Sequence, residues 1–205
     1  MYIPNHFNQP DRAAALDFMR KYSFATLVTA APDAAPTATH LPFTIEQREE
    51  AIWLIAHMAR QNPQWRQFSE NEVLVIFQEP HAYISPQWYD KEQNVPTWNY
   101  VAVHAYGKPR LIEDESAVFN VLEKLILNSE AGYLEQWNRL PEGYKSGMVK
   151  GLVAFELEVT RLEAKEKLSQ NRTPKEIGQV IDGLENSELA GDRELAGIMK
   201  NKQTS

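Results

Sequence analysis

Apolar positions along this chain alternate between a helical period and a strand period, and the switches between them mark out the elements. Pro10, Asp11 and Arg12 open a helical pattern in which Leu16, Met19 and Tyr22 share one face, with proline suited to the first turn. Two strand-like runs follow, FATLVTAA at 24–31 and PTATHLPFTI at 36–45, and the turn Pro32-Asp33-Ala34-Ala35 between them predicts a hairpin. AIWLIAH at 51–57 and VLVIFQ at 73–78 are short apolar runs of strand length, joined by a helical turn around Asn62, Pro63, Gln64 and Trp65. With WNYVAVHAY at 98–106 and LVAFELEVTRL at 152–162 they make a mainly antiparallel set of about six strands. Between the last two, residues 114–127 place Val118, Val121, Leu122, Leu125 and Ile126 at helical spacing behind an Asp start. This helix is expected to cover an open end or edge of the sheet. After Arg172 the pattern changes: Thr173, Pro174 and Glu176 read as N-cap, first position and capping-box partner. Short helices near 174–184 and 187–200 would form a C-terminal appendage.

Composition narrows the function classes. At 205 residues the chain suits one domain with a small appendage, and 43% apolar residues with five Trp suffice for a core. The absence of Cys removes disulfides, thiolate metal sites and thiol nucleophiles. The first residues have neither a basic head nor an apolar run of signal-peptide length, and no segment approaches the roughly 20 apolar residues of a membrane span. A cytoplasmic, non-membrane protein is expected. The net charge of -7 argues against direct DNA binding, because such binding draws most of its affinity from neutralised phosphates.

Chemistry concentrates between Phe77 and Gly107. His81, Tyr83, Trp88, Tyr89, Trp98, Tyr100, His104 and Tyr106 crowd around the steps Ser85-Pro86 and Val95-Pro96, with Gln87, Asn94, Thr97 and Asn99 interspersed. Aromatic faces with placed hydrogen-bonding groups are what a flat, partly polar ligand needs; the alternative is an aromatic loop folded onto its own core. A second feature is the strand-to-helix junction His57-Met58-Ala59-Arg60-Gln61-Asn62-Pro63, where exposed amides beside a guanidinium make a phosphate site. A lone strand-end Arg is otherwise an ordinary solvated residue. His6, His40, His57, His81 and His104 are isolated, with no HExxH, so a structural or substrate-side role stands ahead of a metal site, and no metal is expected. Ser85 lacks a GxSxG elbow, and neither a P-loop nor a GxGxxG is present.

MYIPNHF at the start, THLPF at 39–43, HMARQNPQW at 57–65, PHAYISPQWY at 80–89, VPTWNY at 95–100 and KLSQNR at 167–172 together resemble the PaiB family. Its members are FMN-binding split-barrel proteins labelled negative transcriptional regulators, related to pyridoxamine-phosphate oxidases and flavin reductases. The resemblance implies a six-stranded antiparallel split β-barrel with flanking helices. It further implies a homodimer with FMN at its interface, a split-barrel domain over residues 1–170 and a helical extension over 171–205. By that analogy Arg60, in the segment His57, Met58, Ala59 and Arg60, would bind the flavin phosphate. Thr39, His40 and Leu41 would face the ring or ribityl chain, and Trp88, Trp98 and Asn99 would approach the isoalloxazine. One position departs: related oxidases carry a basic pair, and here Gln61 follows Arg60.

Three functions remain open on the sequence. The resemblance gives an FMN-binding negative transcriptional regulator; flavin chemistry gives an FMN-dependent oxidoreductase or flavin reductase; the fold alone also allows a dimeric binding module without flavin, for this or another planar small molecule. No catalytic residue is fixed, and His81, His104 and Tyr83 qualify only by type. The C-terminal helices carry Lys175, Arg193, Lys200 and Lys202 against Glu176, Asp182, Glu185, Glu188, Asp192 and Glu194, a poor composition for a DNA-reading helix.

Overall fold

Pairing starts with the expected hairpin. In the computed structural model, which describes residues 1–31, 35–68 and 72–203, β1 (Phe24–Thr29) runs antiparallel to β2 (Thr37–Pro42), with Thr26 opposite His40 and Leu27 opposite Thr39. Of the turn expected at residues 32–35, residues 32–34 lie outside the described residues. The second arm is shorter than its apolar run predicts, because the chain leaves the sheet at Pro42, which has no N–H to give a ladder. Phe43 N donates instead to Ser23 O at 2.9 Å, and β3 (Thr44–Arg48) starts a different sheet.

β4 (Ala51–Ala59) and β5 (Val73–Ile84) both outrun their apolar cores, β5 continuing through a cis Glu79-Pro80 bond. β6 (Thr97–Gly107) is followed by β7 (Pro109–Ile112), which the sequence reading lacks. The run at 152–162 is two strands, β8 (Leu152–Glu158) and β9 (Arg161–Lys167), and the break falls where Val159 N and Thr160 N turn to Ile52 O and Tyr106 O. The strand orders are β2-β1-β5-β6-β9 and β3-β4-β8-β7. Among the described residues these pairings form two antiparallel sheets and close no barrel. The class is α+β, with nine strands among the described residues where about six were expected, and six α-helices among them.

The contacts divide the chain into two units, one of residues 1–15, 78–103 and 163–205, the other of 16–77 and 104–162. In the second, Phe43, Phe77, Phe155 and Phe68 pack with ring centroids 4.8 to 6.3 Å apart. There α2 (Glu115–Glu130), capped by the Asp114 carboxylate on Ala117 N, lies across the four-stranded sheet: Val118 and Val121 meet Ile55 of β4 and Ala154 of β8. It therefore covers a face, not the end or edge expected from sequence. α3 (Tyr133–Arg139) and α4 (Glu142–Lys150), unforeseen, complete that cover. Lys145 is buried there, with its ammonium 5.6 Å from the Trp137 ring and paired with Glu142 at 2.6 Å.

In the first unit, α5 (Pro174–Glu185) begins with the predicted Thr173–Glu176 capping box. It pairs with α6 (Ala190–Gln203) through buried Val180, Ile181, Leu184, Leu195 and Met199. α1 (Arg12–Lys21) starts under Asp11, whose carboxylate accepts from Ala13 N at 2.9 Å.

Candidate functional site

The strand-end segment belongs wholly to the second unit, and the polar side chains of Arg60, Asn62 and Gln64 are paired. Arg60 donates from Nε to Lys150 O at 2.8 Å and from Nη2 to Leu152 O at 2.7 Å, while its backbone N donates to Gly151 O at 2.8 Å. One edge of the fork thus caps the end of α4, where carbonyls have no helical partner, and the other holds Leu152, the next strand's first residue. Beyond it, Asn62 caps a short 3-10 turn (Pro63–Gln67) by accepting from Gln64 N. Gln64 is fully buried; its Nε2 donates to Leu27 O, Thr29 Oγ1 and Thr37 O, and its Oε1 accepts from Thr39 Oγ1. Asn62 Nδ2 donates to the same Thr39 hydroxyl at 2.9 Å. The motif reading singled out Thr39 and passed over Gln64, which organises it; a glutamine behind a strand-end proline carries no signal of its burial.

His40 lies at the surface, its Nδ1 2.9 Å from Thr26 Oγ1 and its ring stacked 6.4 Å from exposed Phe24. Leu41 and Met58 are core side chains. Ala59 is exposed. His57 is half-buried with Nδ1 unpaired, and burial pushes its imidazole below the usual histidine range.

The aromatic segment belongs largely to the first unit and splits by role. Trp88 packs on α5: a Cβ built on Gly183 would stand 2.4 Å from its ring, so glycine is required for that close approach. Trp98 and Asn99 are neighbours on β6 and therefore point to opposite faces. Trp98 is 52% exposed, with Tyr83 at 5.9 Å and His81 at 6.0 Å between ring centroids, leaving open aromatic surface. Asn99 is fully buried and holds Ser169 through Nδ2 to Oγ at 2.9 Å. Ser169 sits at a φ of 64°, in the left-handed region, and this pair fixes it there.

Asn99 and Ser169 also line a cavity of about 250 Å³ within this unit, with Phe7, Tyr89, Lys167 and Arg172 among its other walls. Lys167 donates to Thr97 Oγ1, and burial, with Lys165 nearby, holds its ammonium below the usual lysine range. The Arg172 guanidinium lies 3.8 Å from the centre of the Tyr89 ring and donates from Nη1 to Asn94 Oδ1 at 2.8 Å. Tyr89 is 7% exposed, and its buried hydroxyl makes no hydrogen bond among the described residues. Of the KLSQNR motif, only the pattern match marked Lys167 and Arg172 in the sequence; the cavity they line draws on residues far apart in the chain.

Two sheets with helical cover, an open aromatic cluster and a cationic cavity define a ligand-binding α+β protein. The chain belongs to the family described as "Putative FMN-binding domain", whose model matches residues 1–161. It is 40% identical over 206 aligned positions to "Protease synthase and sporulation protein PAI 2" of Bacillus subtilis, covering 98% of both chains. Among solved structures it resembles the flavocytochrome Anf3 of Azotobacter vinelandii, with a TM-score of 0.64 and 13% identity over 84% of this chain and 73% of that one. It also resembles the FAD and heme binding protein of Mycobacterium smegmatis, with a TM-score of 0.62 and 16% identity over 83% and 78%. FMN is accordingly the cofactor this family membership assigns. The residues suit such a group, since a phosphate dianion needs cationic and hydroxyl donors and a flat ring needs open aromatic faces; the unpaired Tyr89 hydroxyl and exposed Trp98 supply an instance of each. No helix among the described residues is long and apolar enough to cross a membrane.

Proposed function

We propose that this protein is an FMN-binding regulator of the PAI 2 type, which links flavin to gene expression through a partner and not by reading DNA itself. The similarity to PAI 2 along nearly the whole of both chains carries this reading. The exclusion of direct DNA reading is supported by the C-terminal helices, whose cations are already spent. Lys175 pairs with Asp90 at 2.8 Å, Lys200 with Glu185, and Lys202 with Glu166 at 3.0 Å, while Arg193 donates to Ser187 O at 2.6 Å. Phosphate binding would have to displace these partners.

In this reading the fold is a split barrel over residues 1–170 with the helical extension 171–205, and it works as a homodimer. Exposed Trp98 and Tyr83 offer apolar surface for a ring or a partner to cover. The flavin lies along Thr39, His40 and the strand end from His57 to Arg60, and Arg60 anchors its phosphate with the donors that α4 leaves over. Purified protein titrated with FMN should quench flavin fluorescence and shift its visible absorbance. Failure to bind FMN at micromolar concentration would overturn the proposal. A salt-steep, nanomolar complex with a specific duplex would overturn its second half, and a stable monomer in sedimentation would remove the dimeric site.

A further inference from the structure

The cavity around Lys167 and Arg172 is built for something other than its own side chains. All its charged walls are cationic in a chain whose net charge is -7. Glu176, which interacts with Arg172 through charge alone, turns its carboxylate to the N–H and hydroxyl of Thr173. Arg172 spends one N–H on Asn94, from the five donors that a guanidinium carries, and its plane is locked against Tyr89. A tyrosine hydroxyl buried without a partner costs stability unless something arrives to pair with it. At about 250 Å³ the cavity falls just short of the roughly 300–1,000 Å³ of sites that engulf a drug-sized ligand, so it suits a compact group or one end of a larger molecule.

We propose that this cavity is an oxyanion site for a phosphate monoester, held between Lys167 and Arg172 with the Tyr89 hydroxyl as a third donor. A dianion matches the two cations in charge, and its tetrahedral oxygens can accept from a planar guanidinium, an ammonium and a hydroxyl at once. Binding would also restore to Lys167 the solvation that burial removes. The site lies in the first unit and shares no residue with the strand end around Arg60, so it adds to the flavin reading above if a second ligand fills it and corrects the place of the phosphate in that reading if FMN does. The ester is carried either by a second ligand or by the flavin itself.

Calorimetry with inorganic phosphate, FMN and riboflavin separates these sources. For a second ligand, inorganic phosphate binds the wild type equally well with and without saturating FMN. Lys167→Gln and Arg172→Gln each weaken it at least tenfold and leave FMN affinity unchanged. For the flavin's own phosphate, the same substitutions weaken FMN at least tenfold and leave riboflavin untouched, and inorganic phosphate competes with FMN alone. Tyr89→Phe removes only the hydroxyl and should weaken the same ligand several-fold, which preserves the test if either charge variant misfolds. The proposal is overturned if folded variants bind phosphate and FMN as the wild type does, or if wild type binds neither inorganic phosphate nor FMN more tightly than riboflavin. Absence of all flavin binding would sink the FMN reading, while the inorganic phosphate titration would still decide the oxyanion site.

Discussion

The strand end around Arg60 and the cavity around Arg172 each pair an arginine with a neighbouring aromatic, yet they differ in what is left unpaired. Around Arg60, the guanidinium holds Lys150 O at the end of α4 and Leu152 O at the start of β8, Trp65 Nε1 donates to Arg60 O at 3.1 Å, and Gln64 and Asn62 are hydrogen-bonded, with His57 Nδ1 the group left unpaired beside them. Around Arg172, the buried Tyr89 hydroxyl makes no hydrogen bond among the described residues, and the partly desolvated Lys167 ammonium donates to Thr97 Oγ1 with the Phe7 ring 6.0 Å away. Satisfied polar groups hold a fold together, and a buried unsatisfied one needs an explanation, which the cationic cavity lined by Tyr89 supplies for its hydroxyl. Motif recognition alone ranks the two segments the other way.

The sharpest test of this contrast is Gln64→Leu. It removes the buried amide and strands the groups it joins, including Leu27 O and Thr37 O, and should cost about 3 kcal/mol in denaturant unfolding. The Tyr89→Phe change in the other region should cost nothing or stabilise slightly, since it deletes an unpaired group; a loss comparable to that of Gln64→Leu would collapse the distinction. Next in size is Gly183→Ala, whose Cβ would collide with Trp88, for about 2 kcal/mol and an altered tryptophan emission. Trp98→Ala, on the opposite footing, should leave stability within about 0.5 kcal/mol while reducing flavin quenching. Arg60→Ala should lower FMN affinity by about 1.5 to 3 kcal/mol if the guanidinium reaches the phosphate, and chiefly loosen α4 if it does not; calorimetry and melting read the two separately.

The smallest effect concerns pH. His57 has a folded-state affinity for protons lowered by burial, so the unfolded chain binds more protons as pH falls through the ordinary histidine value of about 6.5. Its contribution to stability is therefore fully present above that value, declines as acid is added, and levels off below the lower folded-state value. His57→Gln should flatten this part of the stability profile, and an unchanged slope would show that other groups set it.

Much of the fold is legible in the sequence because local signals sufficed. The hairpin, the Asp114 cap and the Thr173–Glu176 box all arise within a few residues of one another. What escapes notice is decided at a distance. The apolar run at 36–45 looks like one strand until Ser23 captures the amide of Phe43, and the run at 152–162 until Ile52 and Tyr106 take the next two amides. β7 has four residues, too few to show a period, and α4 carries two glycines and a buried lysine, which hide its packed face. Within the site, Trp88 reads as a stacking residue because nothing near it in the sequence announces Gly183. Tyr89, the adjacent ring, faces the cavity, and a one-residue difference in direction separates a structural aromatic from one poised for a ligand.

The division of the chain also sets an order of events during synthesis. The first unit is assembled from residues 1–15, 78–103 and 163–205, three stretches separated by the whole of the second. Lys167, Ser169 and Arg172 follow every residue of the second unit off the ribosome, so Tyr89 and Asn99 must wait, already made, for the walls that complete their cavity. A chain terminated between residues 162 and 167 would retain Phe43, Phe68, Phe77 and Phe155 and lack Lys167, Ser169 and Arg172 of the pocket. Ligand binding at that pocket would thus report that translation had run past residue 172.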